Sequence, residues 1–251
     1  MLSDPLFYAA AVPAVILVGL SKGGFGSGLG VAGVPIMALA MPSIEAAAIM
    51  LPILIVMDVV ALIAWWGVYD RRALRMLLPA SLAGVAIGWA VAALVTDAAV
   101  RLIVGLVAVV FTLNYWLRGS DKGEPASHNA PKAWFWGGVS GFTSFVSHAG
   151  GPPMQMYLLP LRLDPRLLAG TTVLLFAVIN VVKLVPYGML GQFSTAHLAA
   201  SAVLLPLAPV STWLGARLVR LVSPELFYSV TYTTLFAVGA KLLWDGAASL
   251  F

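Results

Sequence analysis

Long apolar stretches separated by short polar segments run along most of the 251-residue chain. Six of the stretches approach the ~20 residues that a helix needs to cross the hydrocarbon core of a bilayer. They are 43–67, 76–95, 98–117, 167–182, 198–216 and 226–243. Because no polar segment between them is long enough for a soluble domain, the pattern predicts an all-α polytopic membrane protein. Residues 1–251 would form a single membrane domain.

The sequence repeats itself over its two halves. Matched residues are separated by 122 positions at first and by 127 positions after a five-residue insertion. The matched pairs are Gly19 and Gly141, Gly28 and Gly150, Asp58 and Asn180, Leu78-Pro79 and Leu205-Pro206, and Gly88 and Gly215. This ordered series predicts two homologous repeats, about 1–118 and about 133–251, joined by a linker over 119–132.

Each predicted repeat opens with an apolar segment that a glycine-rich turn interrupts. In the first repeat the turn covers 21–30 and the returning arm about 31–41. In the second repeat, arms at 133–146 and 154–161 flank a turn at 147–153. Arms of this length are short for spans and are typical of re-entrant or broken helices. We therefore predict that each repeat is a broken helical hairpin followed by three transmembrane helices.

The positions of the basic residues favour hairpins over full spans. Eight full spans would divide twelve lysines and arginines five against seven, which is no bias. With hairpins, Arg101 and Lys241 lie on one face and ten basic residues share the other: Arg71, Arg72, Arg75, Arg118, Lys122, Lys132, Arg162, Arg166, Arg217 and Arg220. Such an excess marks the cytoplasmic face. Each repeat then crosses an odd number of times, so the second repeat is inverted and both termini lie outside the cytoplasm. Secondary transporters often have this architecture.

The two glycine-rich turns are the best candidates for a binding site. A second arm begins at each turn, and the N–H groups at the start of a helix attract anions. The candidate substrate-binding residues are Ser21, Lys22, Gly23, Gly24, Ser27, Gly28, Ser144, Ser147, His148, Gly150, Gly151 and Gln155. In the alternative interpretation, Lys22 extends to the membrane interface and His148 is a packing residue bonded to a carbonyl.

Asp58 and Lys183 are the other ionisable side chains inside predicted spans. Lys183 lies three residues beyond Asn180, the counterpart of Asp58 in the second repeat. The two charges could pair across the repeats, or Asp58 could carry a coupling proton. Asp58, Asn180 and Lys183 are therefore a candidate coupling or ion-pair group, with a purely structural ion pair as the alternative.

Three further patterns are interpreted as structural. The G-x-G-x-x-G pattern at 28–33 would indicate a dinucleotide site only after a strand of a βαβ unit. Gly84 and Gly88 form a G-x-x-x-G pair, which is typical of helix packing. Aromatic residues near span ends, Trp65 among them, are expected to anchor the helices at the interface.

Composition and spacing exclude several classes of function. The chain has no cysteine, and therefore no disulfide and no thiolate site. No basic cluster indicates nucleic acid, and no cofactor or metal site is expected, because no acidic or histidine pair has ligand spacing. A membrane enzyme acting on a lipid pyrophosphate would need clustered carboxylates. The glutamates Glu45, Glu124 and Glu225 are scattered, so such an enzyme is the weaker alternative.

The glycine-rich segments at 19–28 (GLSKGGFGSG) and 141–151 (GFTSFVSHAGG), together with the duplicated layout, resemble the TauE/SafE sulfite-exporter family. The resemblance covers the whole chain. It implies a bacterial inner-membrane permease for sulfite, an organosulfonate or a related sulfur oxyanion, bound near the midplane between the two turns. A passive anion channel is the main alternative, because helix ends and basic groups also select anions in channels.

Overall fold

The computed structural model describes residues 4–25, 29–91, 94, 96–117, 124–189 and 194–249, and all regular structure in these ranges is helical. The α-helices are α1 (Pro5–Leu20), α2 (Gly33–Met37), α3 (Ser43–Ala64), α4 (Arg71–Val91), α5 (Asp97–Leu117), α6 (Ala130–Ser147), α7 (Gly151–Leu158), α8 (Pro165–Met189), α9 (Thr195–Leu204), α10 (Leu207–Leu221) and α11 (Pro224–Ala248). Shorter pieces are a π turn at Ser21–Phe25 and 3-10 turns at Leu29–Ala32 and Leu159–Leu161.

Six helical segments in the described ranges are long and apolar enough to cross a membrane, or seven if one bent pair counts as a span. Helices occupy all six predicted spans, which confirms the prediction of an all-α polytopic membrane fold. The bent pair is α9 and α10, which meet at 47°. Pro206 lies at this junction and has no N–H for the helical hydrogen-bond ladder, which favours a break there.

Hairpin 1, formed by α1 and α2, differs from the sequence prediction in the length of its arms. The sequence predicts that the first arm ends at Leu20 and is too short for a span. The π turn Ser21–Phe25 instead continues it, so that Pro5–Gly24 is a 20-residue apolar segment of membrane length. The returning arm is shorter than predicted, because only the 3-10 turn Leu29–Ala32 and the five-residue α2 are helical.

Hairpin 2, formed by α6 and α7, begins and ends on the same side of the molecule. The Ala126 N–H, just before α6, donates to the carbonyl of Pro160, just after α7, at 2.9 Å. Next to this bond, His128 Nδ1 lies 3.2 Å from Tyr157 Oη. The polypeptide therefore returns to the side from which α6 starts. Because α6 already begins at Ala130, the linker ends earlier than predicted.

The two halves of the chain pack on each other reciprocally. Helix α1 packs against α10 and α6 against α4, while α3 packs against α8 and α5 against α11. In the repeat alignment α1 corresponds to α6, α3 to α8, α4 to the α9–α10 pair, and α5 to α11. These four contacts therefore map onto one another or onto themselves, as a two-fold relation requires. This packing supports the inverted repeats, which stay a prediction.

A close crossing fixes hairpin 2 against α4. A side chain added at Gly84 would collide with the backbone of Gly138 in α6, and one added at Gly141 would collide with the backbone of Ser81 in α4. The small residues let the two backbones approach closely. Gly84 and Gly88 therefore serve helix packing, as the G-x-x-x-G pattern predicts.

Candidate functional site

A cavity of about 70 Å³ lies between the tips of the two hairpins. One water needs ~10–15 Å³ on the same measure, so the cavity has room for a small polyatomic ion. Its wall is mostly apolar and comes from both hairpins, α3 and α8. The lining residues are Val18, Ser21, Lys22, Gly24, Gly30, Val34, Met50, Leu54, Ser144, His148, Gly151, Thr172, Val173, Phe176, Asn180 and Lys183.

Lys22 is paired and does not present an unbalanced charge to the cavity. Its Nζ lies 2.5 Å from Oδ1 of Asp58 on α3. Oδ2 of the same carboxylate accepts a 2.7 Å hydrogen bond from Nδ2 of Asn180 on α8. The Asp58 residue is only 2% exposed, so this buried carboxylate has a partner on each oxygen. The positive charge expected from Lys22 at the tip of hairpin 1 is therefore balanced.

Lys183, in contrast, has only neutral hydrogen-bond partners in the described part of the chain. It is 0% exposed, and its Nζ donates to the carbonyl of Ser144 at 2.7 Å and lies 3.3 Å from His148 Nδ1. When Lys183 is an ammonium group it can only donate, so that His148 Nδ1 then accepts and the neutral imidazole carries its hydrogen on Nε2. That Nε2 lies 2.7 Å from Tyr187 Oη. The ion pair of Lys183 with Asp58 that the sequence suggests is not formed.

An aromatic side chain from the following helix holds each hairpin tip. Trp65, directly after α3, donates from Nε1 to the carbonyl of Gly23 at 2.7 Å. Tyr187 on α8 contacts His148 through its hydroxyl, and it lies 122 positions after Trp65, the offset of the first part of the repeat. Trp65 is buried, so the prediction that it anchors the chain at the membrane interface is wrong. Its ring packs close to Gly24, whose φ of 139° favours glycine.

The second arms offer fewer free N–H groups than the sequence suggests. At hairpin 2, α7 begins with Gly151, but Pro152 and Pro153 follow and have no N–H to donate. At hairpin 1 the second arm begins as a 3-10 turn, and the Gly30 N–H already donates to Ser21 Oγ at 2.9 Å. Pro152, Pro153 and Gly30 therefore have no free N–H group for an anion.

The tip of hairpin 2 is held by hydroxyl groups of its own first arm. Ser140 Oγ donates to the carbonyl of Gly150 at 2.6 Å, and Thr143 Oγ1 donates to that of Ala149 at 3.1 Å. These bonds, together with the two prolines, fix the backbone between α6 and α7 in one shape.

Eight of the fifteen candidate residues line the cavity. Ser21, Lys22, Gly24, Ser144, His148, Gly151, Asn180 and Lys183 line it. Three others do not line the cavity but take part in the bonds described above: Gly23 and Gly150 in the tips, and Asp58 as the partner of Lys22. Ser147 donates to the Thr143 carbonyl within its own helix, and Gln155 is buried in α7 away from the cavity wall. Ser27 and Gly28 lie outside the described residues.

Sequence reasoning missed Thr172 and Phe176 on α8, although a signal for them exists. Counting back from Lys183 and Asn180 in steps of three or four residues leads to Phe176 and Thr172, so all four share one helical face. Tyr187 continues the same face beyond Lys183. The apolar lining residues of hairpin 1 and α3, such as Val34 and Met50, carry no sequence signal that separates them from ordinary core residues.

The sequence matches a known protein family over most of its length. The family model described as "Sulfite exporter TauE/SafE" matches residues 11–242, which is nearly the whole chain. No curated protein and no solved structure matches the chain. The match confirms the resemblance of the two glycine-rich segments, and the membrane-length helices agree with a multi-pass transporter. The chain therefore belongs to the TauE/SafE sulfite exporter family, a family of membrane transporters for sulfur anions.

Proposed function

We propose that this protein transports sulfite or another small sulfur oxyanion, such as an organosulfonate, through the cavity between the two hairpin tips. The observation that carries the proposal is Lys183, a buried lysine whose described hydrogen-bond partners are all neutral. Membership of a sulfite exporter family supports a sulfur anion as the cargo.

The charges at the cavity favour an anion over a cation or a neutral solute. The Lys22–Asp58 pair has no net charge, and His148 is neutral when it accepts from Lys183. One positive charge remains at Lys183. An isolated buried ammonium is costly in a low-dielectric interior. A bound anion offsets that cost through charge-assisted hydrogen bonds, whereas a cation would add repulsion.

Hydroxyl groups around the cavity supply further donors to an oxyanion. Thr172 lines the cavity, and its buried Oγ1 has no hydrogen-bond partner in the described structure. Buried hydroxyls are normally satisfied, so a bound oxyanion is a reasonable partner for it. Ser144, on hairpin 2, also lines the cavity. The small volume favours a compact anion such as sulfite over bulkier sulfonates.

A flux assay on the purified protein in liposomes tests this proposal. We expect uptake of sulfite, tested against sulfate, taurine and potassium, and at least a tenfold loss of sulfite uptake in Lys183→Gln. The matched control is Lys132→Gln, which removes one charge from an exposed position at the start of α6 and leaves uptake unchanged. Preferential flux of potassium, or full sulfite uptake by Lys183→Gln, contradicts the proposal.

The same assay separates a proton-coupled carrier from a passive channel. With a proton gradient, a coupled carrier accumulates the anion, whereas a channel only lets it equilibrate. We propose Asp58 as the group that carries the proton. The double variant Lys22→Gln/Asp58→Asn removes the carboxylate without leaving an unpaired charge, and it should lose gradient-driven uptake while keeping anion exchange. Normal gradient-driven uptake in this variant assigns Asp58 to structure alone.

We further propose that the protein lies in a bacterial inner membrane with its second repeat inverted and both termini outside the cytoplasm. The ten-to-two distribution of basic residues and the reciprocal packing of the halves support this orientation. Reporter fusions after Lys122 and after Arg220 should be cytoplasmic, and a fusion at the C-terminus should be outside. A cytoplasmic C-terminus would overturn the inverted-repeat arrangement.

A further inference from the structure

A groove at the ends of α3 and α10 combines positive charge with an apolar wall. It has a volume of about 540 Å³ and is lined by residues of these two helices. Arg217 and Arg220 line it from the last turn and a half of α10. Residues three positions apart share one face of a helix, so both guanidinium groups face the same groove.

Among the described residues, neither arginine has an acidic partner, and both rest on aromatic rings. Arg217 lies over the ring of Trp213 at 5.4 Å, and Arg220 lies over the ring of Trp65 at 5.1 Å. Arg220 also donates from Nη2 to the carbonyl of Ala64 at the end of α3. Among the described residues, no aspartate or glutamate forms an ion pair with either arginine. Aromatic rings and a carbonyl orient the two guanidinium groups and leave their net charge of two uncompensated.

The other walls of the groove suit acyl chains rather than water. Ile63, Trp213 and Leu221 are 71%, 54% and 73% exposed, respectively. All three lie on α3 and α10, which belong to segments of membrane length, so their exposed apolar side chains are available to lipid. Arginine binds phosphate oxygens through two parallel hydrogen bonds, and basic pockets between transmembrane helices bind anionic headgroups. A small soluble anion would make no favourable contact with the apolar wall.

We propose that this groove binds an anionic phospholipid, with its phosphate on Arg217 and Arg220 and its acyl chains along Ile63, Trp213 and Leu221. The site is preorganised through Trp65, because that side chain supports Arg220 on one face and donates to Gly23 at the tip of hairpin 1. The bound lipid therefore stabilises the same tryptophan that holds the tip, and its binding does not depend on which anion the protein transports.

Lipid titration of the delipidated full-length protein, followed by native mass spectrometry and thermal unfolding, tests the site. Phosphatidylglycerol and phosphatidylcholine with the same acyl chains are the probes. We expect the wild-type protein to prefer phosphatidylglycerol and to be stabilised by it, and we expect Arg217→Gln/Arg220→Gln to lose at least tenfold in this preference. The charge-matched control is Arg71→Gln/Arg75→Gln, two exposed arginines at the start of α4 outside the groove. It should keep the preference.

Several results would overturn the assignment. An equal loss in the α4 control means that general attraction to the basic face explains the binding. An unchanged preference in the groove variant places the lipid elsewhere. Displacement of phosphatidylglycerol by glycerol 3-phosphate at the same concentration identifies a soluble phosphate site instead. If the double variant does not fold, the single variant Arg217→Gln, which keeps the Arg220 bond to Ala64, should still show a several-fold loss, and an unchanged preference there refutes the site.

Discussion

The two hairpin tips face one cavity, but the lysines next to them differ in their surroundings. At hairpin 1, Lys22 is paired with Asp58, whose other oxygen is bonded to Asn180. At hairpin 2, Lys183 reaches the tip from α8, and its hydrogen-bond partners among the described residues are the Ser144 carbonyl and the His148 ring. One lysine therefore belongs to an internally balanced ion pair, whereas the other has a charge that a ligand can balance.

The backbones of the two tips are also held in different ways. The tip of hairpin 1 contains Gly24 in a conformation that favours glycine, and its described backbone bonds come from Trp65 and Ser21. The tip of hairpin 2 has two prolines and is held by the hydroxyls of Ser140 and Thr143. The tip with the two prolines thus lies beside the lysine with neutral partners, and a preorganised donor set is what selective anion binding requires.

The largest expected effect is on stability and follows from breaking the balanced pair. Lys22→Gln leaves the buried Asp58 carboxylate without its counter-charge, which should cost about 3–5 kcal/mol. Lys183→Gln leaves no buried charge behind and should cost clearly less. Lys22→Gln/Asp58→Asn should recover most of the loss. Thermal unfolding in detergent without added anion measures all three variants, and equal destabilisation by the two lysine variants would remove the difference between the tips.

The second effect concerns anion affinity and should follow the opposite order. Lys183→Gln removes a charge-assisted hydrogen bond worth about 1.5–3 kcal/mol, which corresponds to at least a tenfold weaker affinity for sulfite. Lys22→Gln/Asp58→Asn keeps the net charge of the cavity and should change the affinity by less than about threefold. Calorimetry on the solubilised protein measures both. A greater loss in the double variant would place the anion on Lys22, as the sequence alone suggests.

Much of the fold follows from the sequence, because apolar length is a direct consequence of the membrane as a solvent. All six predicted spans are helical. Asp58 and Asn180, which the offset of 122 residues aligns, are joined in the structure by a hydrogen bond. The prediction failed at the end of α1, where Ser21 and Lys22 read as a loop but continue the helix as a π turn. The spacing of apolar residues along the chain cannot show that a polar side chain such as that of Lys22 has its partner on another helix.

The site follows from the sequence only in part, for the same reason. Charged residues at membrane depth identify Lys22, Asp58 and Lys183 as candidates, but their pairing depends on three-dimensional packing. The sequence suggests a pair between Asp58 and Lys183, whereas in the structure Asp58 is paired with Lys22. The role of Trp65 is hidden similarly, because an aromatic residue at the end of a span is more often an interfacial anchor than a hydrogen-bond donor to a buried carbonyl.

The smallest expected effect tests the two aromatic contacts at the tips. Tyr187→Phe removes the hydroxyl next to His148, which should cost about 0.5–1.5 kcal/mol of stability and weaken sulfite affinity by less than about tenfold, because His148 contacts Lys183. Trp65→Phe removes the bond to Gly23 and should lower stability without changing the affinity, because neither Trp65 nor Gly23 lines the cavity. Tyr8→Phe on α1 is the control, since Tyr8 does not line the cavity.

Thermal unfolding and calorimetry on the same samples separate the effect on stability from the effect on sulfite affinity. If Trp65→Phe weakens sulfite binding as much as Tyr187→Phe does, both tips contact the anion alike, and the assignment of its charge to Lys183 alone is wrong.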